Sequence, residues 1–166
     1  MKKICLIFFF SVLLCGCSRQ TLYEPVTDVY TDEIATMQHV VLNLPEDAAV
    51  QTMEHESAGM LYLCDNYCVT VQTLPGGDVE RTMREITGFS KDQLMIIQTC
   101  RNGLDQYEVA WSAAGEGEDQ VCRATVLDDG KYHYAVSVMA DASAAGKLTD
   151  TWQSIFHSVG LVNTAP

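Results

Sequence analysis

The chain has 166 residues, of which 48% are hydrophobic, and it carries a formal net charge of −12. This length suits one ordinary domain with a proper apolar core. Binding to nucleic acid or to anionic lipid headgroups depends on Lys and Arg side chains. The acidic balance therefore argues against both, and no nucleic-acid partner is expected.

The start of the chain has the three zones of a secretory signal. Lys2 and Lys3 precede the apolar run Ile4–Leu14, and the small residue Gly16 stands just before Cys17. The apolar run is shorter than the about 20 residues that a transmembrane helix needs. The segment therefore predicts an export signal, and a plain secretory signal is the closest alternative to a lipid-attachment signal.

Residues 1–18 resemble the signal of bacterial lipoproteins, whose lipobox reads apolar–small–small–Cys. Leu14 fits the first position and Gly16 the third, whereas Cys15 stands where Ala or Ser is more usual. The resemblance implies that the Cys17 thiol receives a diacylglyceryl group. It also implies that a type II signal peptidase cuts the chain just before Cys17.

Three regions follow from this interpretation: residues 1–16 are a signal peptide, residues 17–36 a polar lipid-anchored tether, and residues 37–166 a single globular domain. Loss of the signal leaves 150 residues and, because both of its lysines are lost, a net charge of −14. Two acyl chains on one residue give stable membrane attachment. We therefore expect a lipid on Cys17 to hold the protein at the extracytoplasmic face of a cell membrane.

The first half of the domain is predicted to be mostly strand. Apolar runs bounded by turn residues are typical of strands, and they occur at His39–Leu44, Ala49–Met53, Ala58–Cys64 and Tyr67–Leu74. The last two runs flank Asp65-Asn66, which predicts a hairpin.

A short helix is predicted after these strands. Asp78 suits the N-cap position, the helix runs through Thr87, and Gly88 suits the C-terminal stop. Three apolar residues recur at helical spacing and form one stripe, namely Val79, Met83 and Ile86.

The second half is predicted to hold four more strands and a closing helix. The strands are Leu94–Cys100, Tyr107–Ala113, Gln120–Leu127 and Lys131–Met139. Asn102-Gly103 and Asp129-Gly130 predict hairpin turns between them. The closing helix spans Gly146–Gly160, and its buried face comprises Leu148, Trp152, Ile155, Phe156 and Val159.

Apolar residues occur on both sides of the later strands, which favours a sheet covered on both faces. The fold class is therefore α+β, an antiparallel β-sheet with helices packed on its faces. The element order and the closing segment Trp152–Ser158 are similar to the Mog1/PsbP-like α/β/α sandwich, a fold that includes bacterial DcrB-like lipoproteins. Members of that fold mostly act as binding or assembly proteins, so the resemblance implies such a role and carries over no catalytic residue.

Four cysteines besides Cys17 remain in the mature chain: Cys64, Cys68, Cys100 and Cys122. If a three-residue loop joins their strands, Cys64 and Cys68 face each other and could form a disulfide. Buried free thiols are an alternative, and a metal site is a third one, although only His55 stands near as a further ligand. Cys122 is expected opposite Trp111, away from Cys100, so Ellman titration of the unfolded, unreduced protein should find at least two free thiols.

The remaining candidates for chemistry are weak. No catalytic or nucleotide-binding motif occurs, and we expect the four histidines, His39, His55, His133 and His157, to be surface or edge residues. Asp128-Asp129 and Glu118-Asp119 are interpreted as solvated turns in preference to a loose calcium site. Trp111, Tyr132 and Tyr134 are interpreted as packing residues in preference to a ligand surface.

The sequence thus predicts a non-enzymatic cell-envelope lipoprotein that acts by protein interaction or assembly. No cofactor or metal is expected, and the expected partners are the membrane, through Cys17, and an envelope protein. The alternative is a small-molecule-binding lipoprotein whose pocket lies between the sheet and the C-terminal helix.

Overall fold

The computed structural model describes residues 37–51 and 59–163. The strands are β1 (Gln38–Val41), β2 (Ala49–Gln51), β3 (Gly59–Leu63), β4 (Cys68–Pro75), β5 (Ile96–Arg101), β6 (Leu104–Ala113), β7 (Gln120–Asp128), β8 (Tyr132–Asp141) and β9 (Gly160–Asn163). The helices are α1 (Val79–Thr87), α2 (Ala142–Ala145) and α3 (Thr149–Ser158), with a 3-10 turn at Lys91–Gln93. The predicted signal peptide, the tether, Cys17 and His55 lie outside the described residues.

Seven strands form one antiparallel sheet in the order β2-β3-β4-β8-β7-β6-β5. It consists of two meanders, β2 to β4 and β5 to β8, which join where β4 pairs with β8. Strand β8 therefore lies at the centre and is buried along most of its length. Strands β2 and β5 form the two edges.

Helix α1 covers one face of the sheet, and its predicted ends are confirmed. The Asp78 carboxylate accepts hydrogen bonds from the backbone N–H groups of Glu80 and Arg81, and Gly88 ends the helix with a φ of 79°. Left-handed backbone of this kind favours glycine. The apolar stripe of the helix packs Met83 onto a cluster formed by Val109, Ala124, Val126 and Ala135.

Helix α3 covers the opposite face together with the two-stranded β1–β9 ribbon. Its buried residues are Trp152, Ile155 and Phe156. The predicted closing helix was too long at both ends, because residues Gly146–Leu148 form a turn and Val159 is extended. The segment Gly160–Asn163 is a strand paired with β1, which the sequence analysis missed.

The expectation of a sheet covered on both faces is confirmed, with α1 on one side and α3 on the other. The predicted register of β6 and β7 is also confirmed, since Trp111 lies opposite Cys122. The predicted hairpin turn at Asp65-Asn66 is confirmed, because Leu63 lies opposite Cys68 and the Cys64 backbone N–H donates to the Tyr67 carbonyl at 3.0 Å. The three-residue loop that would place Cys64 opposite Cys68 does not occur, since this register places Cys64 opposite Tyr67.

Candidate functional site

A buried polar cluster joins α1 to the sheet. The Thr82 hydroxyl and the His133 Nδ1 atom are 2.6 Å apart, and His133 Nε2 lies 3.2 Å from an Asp128 carboxylate oxygen without making a hydrogen bond. The expectation that His133 is a surface or edge residue is wrong, because it lies on the central strand and is 0% exposed. His39 and His157 are exposed as expected.

This cluster has the residue types of a nucleophile, a base and an acid, but its geometry is that of a structural contact. Thr82 is only 1% exposed, so its hydroxyl cannot meet a substrate from solvent. The hydroxyl instead hydrogen-bonds the imidazole, which satisfies two polar groups that would be costly to bury alone. The cluster therefore fixes α1 on the sheet.

The acidic turns also have structural roles. Asp129 accepts hydrogen bonds from two backbone N–H groups in the turn before β8 and from the Tyr134 hydroxyl at 2.8 Å. Burial raises the pKa of Tyr134, so the phenol stays a donor to this carboxylate. Glu118 accepts a hydrogen bond from Ser143. Among the described residues no group of three His, Cys, Asp or Glu side chains could hold a metal ion.

The aromatic residues pack as predicted. Tyr132 and Tyr134 are buried in the cluster beneath α3, with their ring centroids 6.3 Å apart. Trp111 lies on the other face and packs against the cluster beneath α1. Because these rings face opposite sides of the sheet, they do not form one ligand-binding surface.

The cysteines are distributed over both faces of the sheet. Cys68 lies in register with Met139, which lies in register with Cys122, so these three share the α1 face. Cys64 packs against the cluster on the α3 face. Cys64 and Cys68 are free thiols in the structure, and the disulfide between them stays a prediction that has lost the loop geometry on which it depended.

Three of the cysteines have thiols of low reactivity. Burial raises the pKa of Cys122 to about 11 and also raises the pKa of Cys64 and of Cys68. Because the thiolate is the nucleophile and the metal ligand, these three side chains are poorly suited to either role near neutral pH.

Two exposed apolar side chains lie together at the β5 edge of the sheet. Met95 is 83% exposed just before this strand, and Ile97 is 55% exposed within it. Strand β5 pairs with β6 on one side and has no neighbour on the other side among residues 37–51 and 59–163. The strand contains no acidic residue, no lysine and no proline, which are the residues that commonly protect sheet edges from pairing.

Beside this edge lies a small open groove on the α3 face of the sheet. We call it the β5 groove, and its volume is about 140 Å³. Its lining residues are Met95, Ile97, Glu108, Val109, Ala110, Arg123, Ala124 and Phe156. The groove lies between the sheet and α3, which is where the alternative function, small-molecule binding, placed its pocket.

Two arginines hold the helix against this part of the sheet. The Arg123 guanidinium lies 5.7 Å from the centroid of the Phe156 ring. Arg101, at the end of β5, donates hydrogen bonds to the carbonyl oxygens of Phe156 and His157. Cations stabilise the C-terminal end of a helix, so Arg101 fastens the edge strand to the end of α3.

A larger concavity of about 490 Å³ lies on the outer side of α3. Its lining is polar and comes from this helix and its C-terminal end: Asp150, Gln153, Ser154, His157 and Ser158. It is shallow and has no wall from the sheet, so it lacks the enclosure and the apolar lining of a ligand pocket.

The residues of the β5 groove could not be identified from the sequence, because they are far apart in the chain. Strand β5, Arg123 on β7 and Phe156 on α3 meet only in the folded structure. The only local sign of an exposed apolar residue was the run Met95-Ile96-Ile97. Successive side chains of a strand point to opposite faces of a sheet, so Ile96 and Ile97 cannot lie on the same face.

No family model and no curated protein matches the chain. Its structure is similar to that of CyanoP, the cyanobacterial PsbP of Synechocystis sp. PCC 6803, with a TM-score of 0.56, 9% identity and coverage of 77% of this chain and 94% of that one. It is also similar to a crystal structure from Bacteroides thetaiotaomicron VPI-5482, with a TM-score of 0.52, 11% identity and coverage of 74% of this chain but only 45% of that one.

A third similar structure is the Ran-binding protein Mog1p of Saccharomyces cerevisiae, with a TM-score of 0.49, 12% identity and coverage of 77% of this chain and 97% of that one. Together with the observed sheet and helices, the similarity to CyanoP confirms the predicted α+β fold of the Mog1/PsbP-like type. Within the described residues, no helix is long and apolar enough to cross a membrane.

Proposed function

We propose that this protein is a non-enzymatic envelope lipoprotein that binds another protein through the β5 edge and the β5 groove. The observation that carries the proposal is the exposure of Met95 and Ile97 beside an edge strand whose outer side has no neighbour within residues 37–51 and 59–163. Exposed apolar patches of this kind are typical of protein-interaction sites, and free sheet edges are a common place for a partner chain to bind.

The size of the groove favours a protein partner over a small molecule. Pockets for small ligands have volumes of roughly 300–1,000 Å³ and bury most of the ligand. The β5 groove has about 140 Å³ and is open to solvent. It can accept part of a partner's surface, but it is too small to enclose a metabolite.

Site-specific photo-crosslinking in cells tests the interaction surface. A photoreactive amino acid is placed at Met95, at Ile97 or, as a matched control, at Glu85, which is exposed on α1 on the opposite face. We expect an adduct of one defined mass from the first two positions and none from the control. The proposal would be wrong if no position gave an adduct, or if all three gave the same one.

Anchoring through Cys17 is part of the proposal. It is supported by the lipobox-like run before this residue and by the net charge of the mature chain, which does not favour electrostatic adhesion to anionic lipid. We expect the N-terminal peptide of the mature protein to begin at Cys17 and to carry a diacylglyceryl group, as read by mass spectrometry. Replacement of Cys17 with serine should release the protein from the membrane fraction. A free Cys17 thiol would contradict the anchor.

A further inference from the structure

We propose that the β5 groove binds an extended segment of the partner protein that presents one large apolar side chain next to a carboxylate. This inference rests on the proposed function and specifies the chemistry of the partner. The apolar side chain enters the groove, and the carboxylate pairs with Arg123.

The apolar part of the proposal follows from the shape and lining of the groove. A volume of about 140 Å³ has room for one large side chain, not for a whole ligand. Ile97, Ala110 and Phe156 supply apolar surface around it, and Met95 extends that surface beyond the opening. Interfaces often gain most of their affinity from one such residue inserted into a small pocket.

The carboxylate of the partner is inferred from the surroundings of the Arg123 side chain. Among the described residues, no carboxylate comes within salt-bridge distance of its guanidinium, which lies beside the Phe156 ring. Glu108 lines the same groove, but its carboxylate accepts a hydrogen bond from the Gln106 amide at 3.0 Å. A partly buried guanidinium beside an aromatic ring is well suited to bind a carboxylate through two parallel hydrogen bonds.

The charge of the protein favours a different protein over a second copy of the same chain. The mature chain has a net charge of −14, so two copies repel each other. In addition, strand β5 has no carboxylate to offer to the Arg123 of another copy, because its sequence is Ile-Ile-Gln-Thr-Cys-Arg. Both observations favour a carboxylate that comes from a partner with another sequence.

The test selects peptides from a displayed library of random nine-residue sequences on the complete mature protein. We expect the selected peptides to share a large apolar residue within two positions of Asp or Glu. In a fluorescence-anisotropy assay, Arg123→Gln should weaken the binding of these peptides at least tenfold. Replacing the acidic residue of the peptide with its amide, Asp with Asn or Glu with Gln, should weaken binding to the unchanged protein equally. Combining both changes should cost no more than either one, because each removes the same ion pair.

Arg84→Gln is the matched control, since it removes an arginine from α1 on the opposite face, and it should leave binding unchanged. Thermal unfolding of Arg123→Gln checks that the domain still folds. Any of three results would overturn the proposal: the selected peptides lack a carboxylate, they bind Arg123→Gln unchanged, or the library yields no binder. If the crosslink at Ile97 persists in any of these cases, the interaction surface stands and only the chemistry of its occupant is wrong.

Discussion

Replacement of Trp152 with alanine is expected to lower the free energy of unfolding by about 3–5 kcal/mol, the usual cost of removing a large buried aromatic side chain. Trp152 is 2% exposed and belongs to the main apolar cluster between α3 and the sheet. Helix α3 spans only Thr149–Ser158, and helices this short are marginal in water without packing. Chemical denaturation followed by circular dichroism measures the loss.

Trp152→Phe is the matched control for this experiment. It keeps a large aromatic ring and removes an indole N–H that has no hydrogen-bond partner among the described residues. Because that buried donor is itself unfavourable, we expect the phenylalanine variant to lose less than half as much stability as the alanine variant. Equal losses would mean that the indole does not anchor α3 by apolar packing.

Thr82→Val is expected to lower the free energy of unfolding by about 1–3 kcal/mol, since it leaves a buried polar group without its partner. The valine side chain keeps the shape of threonine but cannot hydrogen-bond His133 Nδ1, which lies 2.6 Å from the Thr82 hydroxyl. The imidazole is fully buried, so water cannot replace the lost hydroxyl. The same denaturation assay provides the measurement.

Thr82→Ser separates the hydrogen bond from the packing. Serine keeps the hydroxyl and loses only a methyl group, which should cost about 1 kcal/mol. A double replacement of Thr82 with valine and His133 with leucine should recover part of the loss, because both polar groups are then gone. If Thr82→Val were as stable as the natural protein, the cluster would not hold α1 on the sheet.

The parts of the fold that could be predicted from the sequence are those determined by neighbouring residues. Asp78 and Gly88 bound α1 as expected, because capping is an interaction within one helical turn. The turn before β8 also followed from local sequence, since Gly130 has a positive φ of 86° there. Hairpin turns then set the register of β6, β7 and β8.

The parts that could not be predicted depend on contacts between distant segments. The two meanders are connected in the chain through α1 and are joined in the sheet by the pairing of β4 with β8. No local pattern specifies this pairing. Strand β9 is too short to show a period, and its pairing with β1 links the two ends of the described domain. The burial of His133 depends on its strand lying at the centre of the sheet.

The candidate site was harder to predict than the fold. The alternative function placed a pocket between the sheet and the C-terminal helix, and the β5 groove lies there, but its lining and its small volume depend on segments that are distant in the chain. Exposure of Ile97 could not be inferred either, because the run Met95-Ile96-Ile97 reads equally well as a buried strand. Only the position of β5 at the sheet edge decides this.

The hydrogen bonds from Arg101 to the end of α3 have a consequence for binding. They fasten the strand that carries Ile97 to the helix that carries Phe156, so the opposite walls of the β5 groove are linked directly to each other. For the partner segment that we propose, we therefore expect little loss of conformational entropy on the side of this protein. Most of the ordering cost is then expected to fall on the incoming segment.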